Sequence, residues 1–389
     1  MSKIDDLITE LRLGGVEFKT LGEVGEFIRG RRFTKDDYVD SGLGSIHYGE
    51  IYTDYGTATT TTRSFVRQEL KSRLRLARTG DLIIAATGEH VKDVCKAVAW
   101  LGGDEIAVHD DCYIFRHRLD PKYASYFFQS SAFQIQKVKF ASDAKVVRVS
   151  GSNLAKIEMP VPPLAVQREI VAILDKMELL EAELKVELDA RRLQYSYYRD
   201  SLVSFPEAGV RWAPLGEIGN VRVGQPPPEG VLSEEGPFAF VNAGTTESGR
   251  ALQANTPGGA VTIPSRGQGG VGIVGYQAED FWCGPLCYRI VSADADLSTR
   301  FLYYYLKSVQ SSIRGLQQAG GTPALNRKEL ILVEIPMLPL REQERIVGIL
   351  DKFDALVNDL SIGLPAELNA RHKQYAYYRD KLLSFEGAA

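Results

Sequence analysis

Apolar residues recur at helical spacing over two long stretches of the chain. In the first stretch they stand three or four residues apart, at Ile170, Ile173, Met177, Leu180 and Leu184. This spacing places the apolar side chains along one stripe of an α-helix, a pattern that packs one helix against another. The stretch therefore predicts a helix of about 40 residues, roughly 60 Å long, whose stripe needs a partner.

The second stretch repeats the first. Residues 167–176 match residues 343–352, and residues 194–200 match residues 374–380. Two matched stripes in one chain can bury each other, so we expect the two helices to pair; two ordinary core helices, or a seam between two copies of the chain, are the alternatives. The predicted seam residues are Ile170, Ile173, Met177, Leu180, Leu184, Leu188, Tyr195, Tyr198, Ile346, Ile349, Phe353, Leu356, Leu360, Leu364, Leu368, Tyr375 and Tyr378.

The two copies differ in length. The second holds four more residues than the first, and they fall within residues 361–365, where Gly363 and Pro365 also stand. Because proline removes a helical hydrogen bond, we expect a bend or a restart of the helix near Leu364.

A globular segment precedes each helical repeat. Residues 16–25 match residues 210–219, so the chain consists of two related halves. Strand-like runs and one helical pattern in each segment predict mixed α/β domains that alternate with long helices. We expect a first domain over 1–160 with a short amphipathic helix at 3–12, a helical repeat over 161–206, a second domain over 207–336 and a second helical repeat over 337–389.

Composition limits the class of protein. The chain has 389 residues, 44% hydrophobic and 25% charged, with four cysteines, no apolar run of membrane-spanning length and no signal-peptide core. We therefore expect a cytoplasmic protein of more than one domain without a disulfide framework. The net charge of −4 argues on its face against nucleic acid, but many acidic residues lie in the first helical repeat.

Motifs for catalysis and cofactors are weak. The run from Gly267 to Gly272 fits G-x-G-x-x-G but lacks the helical pattern that a dinucleotide site needs, so a glycine-rich hairpin close to a ligand or DNA is favoured. Cys283 and Cys287 have the wrong spacing for a zinc knuckle, and residues 109–112 are better explained by strand packing than by a metal. We predict no catalytic residue, no metal and no cofactor on this chain.

Basic, polar and aromatic residues cluster instead in both globular segments. Arg, Lys, Asn and Gln read base edges, and Arg, Lys, Ser and Thr hold phosphates, so the two clusters favour DNA over a merely solvated surface. The candidate DNA-binding residues are Arg29, Arg31, Arg32, Lys35, Tyr48, Tyr52, Arg63, Lys92, Lys145, Arg148, Arg222, Gln225, Asn242, Thr245, Arg266, Gln268, Gln277, Asn326 and Arg327.

These features together resemble the specificity subunit of type I restriction-modification enzymes. The resemblance covers nearly the whole chain. It rests on Pro163-Leu-x-x-Gln-x-x-Ile-Val-x-Ile-Leu-Asp175 and its copy from Pro339, on the two Gln-Tyr-x-Tyr-Tyr-Arg-Asp segments, and on residues 46–53, 263–267 and 281–288.

The resemblance implies a function as well as a fold. Two target-recognition domains would alternate with two helices that pair as an antiparallel coiled coil in a pseudo-two-fold, circular arrangement. Each domain would read half of a bipartite double-stranded DNA site, and the helix pair would set the spacer and dock two methyltransferase subunits. Two restriction–translocase subunits would follow. S-adenosylmethionine, ATP and Mg²⁺ would bind those partners, which would carry the adenine methyltransferase and endonuclease activities.

Two other classes of protein remain as alternatives. A fused methyltransferase or nuclease would need an Asn/Asp-Pro-Pro-aromatic motif, which the prolines at 162–163 and 226–228 do not form. A non-catalytic coiled-coil adaptor would not need two differing α/β domains.

Overall fold

The computed structural model describes residues 16–141, 146–318 and 322–385, and the chain divides into two compact units. Unit 1 comprises the chain up to Glu183 together with the segment from Leu368 onward. Unit 2 comprises Leu184–Glu367. The short helix predicted at 3–12 lies outside the described residues.

Unit 1 is built on short strands, and β8 and β10 are buried along their whole length. The strands are β1 (Phe18–Thr20), β2 (Gly25–Arg29), β3 (Tyr38–Val39), β4 (Leu43–Ile46), β5 (Ala58–Thr59), β6 (Ser64–Val66), β7 (Leu76–Ala77), β8 (Leu82–Ala85), β9 (Thr87–Gly88), β10 (Ala97–Trp100), β11 (Ile106–Val108), β12 (Cys112–His117), β13 (Val147–Arg148) and β14 (Glu158–Pro160). The helices are α1 (Leu21–Val24), α2 (Tyr48–Thr53), α3 (Pro121–Gln129), α4 (Ser131–Val138), α5 (Gly151–Leu154) and the first part of α6 (Leu164–Leu202).

Two five-stranded sheets organise unit 1. The first has the order β2-β12-β8-β10-β5 and the second β3-β6-β4-β11-β7. Leu82 and Ile84 of β8 pack with α3, whereas Ile83 faces the second sheet. Successive side chains of one strand thus enter two different cores, as strand geometry requires. Because both faces of β8 are covered, every residue of the strand, from Leu82 to Ala85, is apolar.

Unit 2 repeats this plan with fewer strands. They are β15 (Arg211–Pro214), β16 (Gly219–Val223), β17 (Phe238–Val241), β18 (Gly249–Ala251), β19 (Ala260–Pro264), β20 (Gly275–Gln277), β21 (Phe281–Cys283), β22 (Cys287–Ser292) and β23 (Glu334–Met337). The remaining helices are α7 (Leu215–Ile218), α8 (Thr299–Ser308), α9 (Gln310–Gly315), α10 (Arg327–Leu330), α11 (Leu340–Asn358) and α12 (Leu364–Leu382), the last of which belongs mainly to unit 1. The main sheets have the orders β16-β22-β19-β20 and β18-β17-β21.

The mixed α/β class is confirmed, and the second of the two expected long helices is interrupted. The first repeat is one helix of 39 residues, whereas the second is divided into α11 and α12, each of 19 residues. The restart at Leu364 is where the sequence predicts it. Gly363 permits the break, because a Cβ there would lie 2.3 Å from the carbonyl oxygen of Ala355.

Two carboxylates on α6 hold the globular part of unit 1 to its helices. Asp175 accepts hydrogen bonds from Lys122 Nζ and Tyr126 OH of α3, both at 2.7 Å. One turn later, Glu178 accepts from Tyr375 OH of α12 at 2.9 Å and from Thr57 Oγ1 at 2.7 Å. One helical face thus binds both the globular part and the second helical repeat.

The corresponding carboxylates in unit 2 make corresponding bonds. Asp351 accepts from Arg300 Nε at 2.8 Å and from Tyr304 OH. Asp354 accepts from Tyr195 OH at 3.2 Å. Burial raises the pKa of Tyr304, as it does that of Tyr126, so both hydroxyls stay protonated donors. The internal repeat of the sequence is therefore a repeat of contacts as well.

The predicted seam positions differ in burial. The buried ones are Ile170, Leu188, Tyr195, Ile346 and Tyr375, and those of intermediate exposure are Ile173, Met177, Leu184, Ile349, Phe353, Leu364, Leu368 and Tyr378. The exposed ones are Leu180, Tyr198, Leu356 and Leu360. Leu360 is 81% exposed because it follows the end of α11. Leu174 and Leu350, which the seam prediction omits, are fully buried.

A buried glutamine joins the start of each helical repeat to its globular part. Gln343 is fully buried; its Oε1 accepts from Ser298 N at 2.8 Å, and its Nε2 donates to Asp296 O and Leu338 O. Gln167 makes the matching bonds to Asp120 N and Pro162 O. Both positions therefore need an amide, which donates and accepts.

We predict that Gln343→Leu lowers the free energy of unfolding by about 2–3 kcal/mol, because it leaves buried backbone groups without partners. Chemical denaturation measures the change. The matched control Glu344→Ala, at an exposed neighbouring position, should stay within about 0.5 kcal/mol of wild type. Equal effects of the two substitutions would show that the amide does not hold this junction.

The turn between β11 and β12 in unit 1 contains an ion pair. His109 Nδ1 lies 2.8 Å from Asp111 Oδ2, and His109 Nε2 lies 3.1 Å from Phe33 O. The contact with Asp111 raises the pKa of His109 above its usual 6.5. Protonated His109 thus stabilises the fold, fully so below its unfolded pKa of about 6.5 and no longer above its folded pKa.

We predict that His109→Gln costs about 1 kcal/mol more stability at acidic than at alkaline pH. Denaturation series on either side of neutrality measure this difference, and an NMR titration of the imidazole gives the pKa directly. Asp111→Asn should lower that pKa. A wild-type His109 that titrates below its usual value would contradict the ion pair.

Candidate nucleic-acid interface

One end of the first sheet of unit 1 gathers several loops. β2 ends there at Arg29, which pairs with Tyr113, and β8 ends there at Ala85, which pairs with Cys112. β10 begins at the same end, since Ala97 pairs with Ile84. Residues 29–35, 86–96 and 109–111, together with α2, form what is called here the first edge.

Backbone and side-chain bonds join these segments. Arg29 Nε donates to Asp110 O at 2.8 Å, and the backbone nitrogen of Tyr48 donates to Asp111 at 3.4 Å. Tyr52 OH donates to Thr87 O at 2.8 Å, and Thr87 pairs with Arg148 of β13. The first edge therefore brings together predicted residues that are far apart in the chain.

Several cations of the first edge project into solvent. Arg31, Arg32, Lys35 and Lys92 are exposed, and none of them makes an ion pair with another residue that the structure describes. Tyr48 beside them is 41% exposed. A group of unpaired cations with an exposed aromatic ring suits phosphates and base edges.

Other predicted residues of unit 1 are engaged in the fold. Tyr52 has its hydroxyl bonded to Thr87, and its ring lies 6.1 Å from that of Tyr48. Arg63 pairs with Asp54 at 2.7 Å, at the end of α2. Arg148 is exposed on β13, and Lys145 lies outside the described residues.

Unit 2 presents the corresponding end of its sheet. β16 ends at Val223 opposite Tyr288, and β19 ends at Pro264 opposite Cys287. β20 begins beside them at Gly275. Residues 224–230, 265–274 and 284–286 form the second edge.

The two edges share a backbone path but differ in side chains. Gly30 N and Gly224 N donate to Cys112 O and Cys287 O, each at 3.0 Å. A Cβ on Gly30 would lie 2.0 Å from His109 O, and one on Gly224 would lie 2.2 Å from Gly284 O, so both positions need glycine. The next residue is Arg31 in unit 1 and Gln225 in unit 2.

Polar residues of unit 2 converge on its edge. Arg266 and Gln268 are exposed on the loop 265–274, where Gly267, Gly269 and Gly272 have positive φ. Arg266 bridges to Ala324, which leads into Asn326 and Arg327 at the start of α10. Arg327 is exposed, although its Nε donates to Val221 O at 3.0 Å. Thr245 is exposed in the segment 242–248, which touches the same loop because Gly270 lies against Ala243 and Gly244.

Two candidates lie away from the second edge, and a third supports that edge from within. Gln277 pairs with Ala260, at the far end of β19 from the second edge. Asn242 Oδ1 accepts from Leu286 N at 2.8 Å and so supports the 284–286 turn from within. Arg222 projects from an outer face of the sheet, where it lines a depression of about 340 Å³ with Arg289.

Arg314 joins the second edge, although sequence patterns did not single it out. It is exposed on α9, and a Cβ on Gly272 would lie 2.9 Å from its Cγ. The sequence predicts a helix over residues 299–316, but helical spacing alone does not show which loop the end of that helix approaches.

The residues that the structure describes offer no competing metal site. In the described ranges no three His, Cys, Asp or Glu side chains group as metal ligands. All four cysteines are buried, and burial raises the pKa of the Cys95 thiol to about 12. No helix within those ranges is long and apolar enough to cross a membrane.

One family of known proteins matches both halves of this chain. The family described as type I restriction modification DNA specificity domain matches residues 14–190 and 210–370. The type I restriction enzyme EcoR124I/EcoR124II specificity subunit of Escherichia coli is 35% identical over 275 residues, which cover 62% of this chain and 66% of that protein. A putative specificity subunit of Haemophilus influenzae is 28% identical over 64% of this chain and 69% of its own length.

Solved structures share the fold. A crystal structure of a type I restriction-modification S subunit from M. genitalium aligns with a TM-score of 0.60 at 16% identity, over 95% of this chain and 97% of that one. A chain from a study of the assembly and conformational transition of the type I R-M system aligns with a TM-score of 0.67 at 20% identity, over 95% and 98%. Both halves of this sequence match the same family, so the chain belongs to the type I restriction-modification DNA specificity subunits and carries two target-recognition domains.

Proposed function

We propose that the first and second edges each read one half of a bipartite double-stranded DNA site. The supporting observation is the equivalent placement of Arg31 and Gln225, whose backbone nitrogens donate to Val108 O and Cys283 O, each at 2.9 Å. A guanidinium only donates, and suits guanine, whereas an amide donates and accepts, and suits adenine. Two different side chains at one structural position favour two different half-sites.

The cations around these positions would hold the DNA backbone. Arg32, Lys35 and Lys92 on the first edge, and Arg266 and Arg314 on the second, are exposed. Contacts to phosphates fix orientation without reading sequence. Part of the net charge of −4 comes from acidic residues on α6, such as Glu183 and Glu187, although the first edge also carries the exposed Glu89 and Asp93.

In this proposal α6, α11 and α12 form an antiparallel coiled coil that sets the spacer and docks methyltransferase subunits. The bonds Tyr375–Glu178 in unit 1 and Tyr195–Asp354 in unit 2 support helix pairing within each unit. Leu179, Val186 and Leu193 are exposed along α6 and leave an apolar surface for a partner. Domain limits at 1–160, 161–206, 207–336 and 337–389 remain part of the proposal.

The chain itself would be non-catalytic. Two methyltransferase and two restriction–translocase subunits would supply adenine methylation and cleavage in the cytoplasm, and S-adenosylmethionine, ATP and Mg²⁺ would bind to them. A coiled-coil adaptor without sequence readout is the alternative, and it would need no difference between the two edges.

We predict that Arg31→Ala and Gln225→Ala each relax one half-site only. Each substitution removes base contacts that contribute about tenfold or more to discrimination between bases, and it leaves the other edge unchanged. Selection from randomised duplexes, with the full chain and its methyltransferase subunits, measures base preference at every position.

Matched controls lie at the opposite ends of the same sheets. Arg118 follows the far end of β12, and Gln277 lies at the far end of β19. Arg118→Ala and Gln277→Ala should therefore both keep the wild-type base preference. If the wild-type complex selects no sequence, the adaptor class is favoured. If Arg31→Ala and Gln225→Ala weaken both halves alike, the assignment of one edge to each half-site is wrong.

A further inference from the structure

A buried lysine lies beneath the first edge. Lys137 of α4 is fully buried, and its Nζ donates to Val94 O at 2.9 Å and to Lys92 O at 3.1 Å. No ion pair joins it to a carboxylate in the part of the chain that the structure describes, and burial lowers its pKa. Burying an ammonium group is costly unless its N–H donors are hydrogen-bonded. Here the carbonyl oxygens of the loop accept those hydrogen bonds in place of water.

Unit 2 has a lysine beneath its own edge. Lys307 of α8 donates to Val274 O at 2.9 Å and to Gln310 Oε1 at 3.1 Å. Gln310 also accepts from Val274 N, and Gln317 Nε2 donates to Val271 O. Side chains of α8, of α9 and of the segment that follows α9 therefore bind the loop 265–274.

The two lysines do not correspond in the internal repeat. Tyr126 of α3 corresponds to Tyr304 of α8, so Lys307 corresponds to Gln129 and not to Lys137. Each nevertheless reaches the loop that follows the matching strand, β8 or β19. The shared feature is thus a cation under the edge loop, supplied from a different helix position in each unit.

Both loops have backbone conformations that need outside support. Cys95 has a φ of 69°, a left-handed value that a non-glycine residue adopts at a cost. In unit 2 the loop contains three glycines with positive φ, whose free chain would be especially flexible. These loops carry Lys92 and Gln268, two exposed DNA-binding candidates.

We infer that Lys137 and Lys307 are positioning residues for DNA readout, each fixing one edge loop and so the discrimination of one half-site. This inference rests on the proposed function, because it assumes that the edges face DNA. Neither lysine would touch the duplex. Each would act through the carbonyl groups that set the path of its loop.

A lysine with a merely structural role would give a different result in a binding experiment. A lysine that only stabilises the fold would, when removed, lower the amount of active protein and reduce binding to both half-sites together. A positioning lysine would change base preference in its own half-site and leave the other intact. The bipartite site thus supplies an internal control.

The test compares Lys137→Met with Lys307→Met in the full chain with its methyltransferase subunits, using selection from randomised duplexes. Methionine keeps the length of the side chain and removes the charge. We expect Lys137→Met to reduce discrimination about tenfold at base pairs of the half-site read by unit 1, the scale of one lost specific contact. Lys307→Met should do the same in the other half-site only.

The control Lys139→Met changes an exposed lysine two residues from Lys137 and should leave both half-sites unchanged. Thermal unfolding checks that each variant is folded; if Lys137→Met is not, Lys307→Met decides the matter, since Lys307 is less buried. Equal relaxation of both halves, or unchanged preference in folded protein, overturns the inference. A wild-type complex without a bipartite preference would instead refute the proposed function.

Discussion

The carboxylate pair on the first part of each helical repeat is the contact on which each unit depends. In unit 1, Asp175 binds the globular part and Glu178 binds both Tyr375 of α12 and Thr57. In unit 2, Asp351 binds Arg300 of the globular part and Asp354 binds Tyr195 of α6. Partly buried carboxylates need such donors, because desolvation without them would be costly. The sheet, and therefore the edge at its end, is held at a defined place on the helix.

The two units share this framework of contacts but differ in the side chains at their edges, as the proposed function requires. The glycines at 30 and 224, and the bonds around them, keep the same path, while the following side chain changes from Arg31 to Gln225. The supports beneath the edges differ as well, with Lys137 in one unit and Lys307 in the other. In the proposed function, the repeated helix contacts place two different edge loops in equivalent positions, one in each unit, so that the two half-sites can differ.

The sequence predicts those features that follow from local spacing. The helical period and the internal repeat indicate the helices, and the proline near Leu364 indicates a bend or a restart. The structure shows a restart, which divides the second repeat into α11 and α12. Burial depends on neighbours in space, so helical spacing alone assigns the exposed Leu360 to the seam and omits the buried Leu174. Residue type does not reveal strand register, so nothing in the sequence indicates that Gln277 lies at the opposite end of β19 from the second edge. Sequence spacing does not single out Arg314 or Lys137, because helix packing brings both residues to their loops.

The most direct test of the central claim maps methylated bases in the DNA of cells that express this chain with its methyltransferase subunits. Two differing edges on a fixed frame predict one recurring site, made of two different short sequences separated by a constant number of unspecified base pairs. Methylation within a single uninterrupted sequence, or at half-sites separated by a variable distance, would contradict the account.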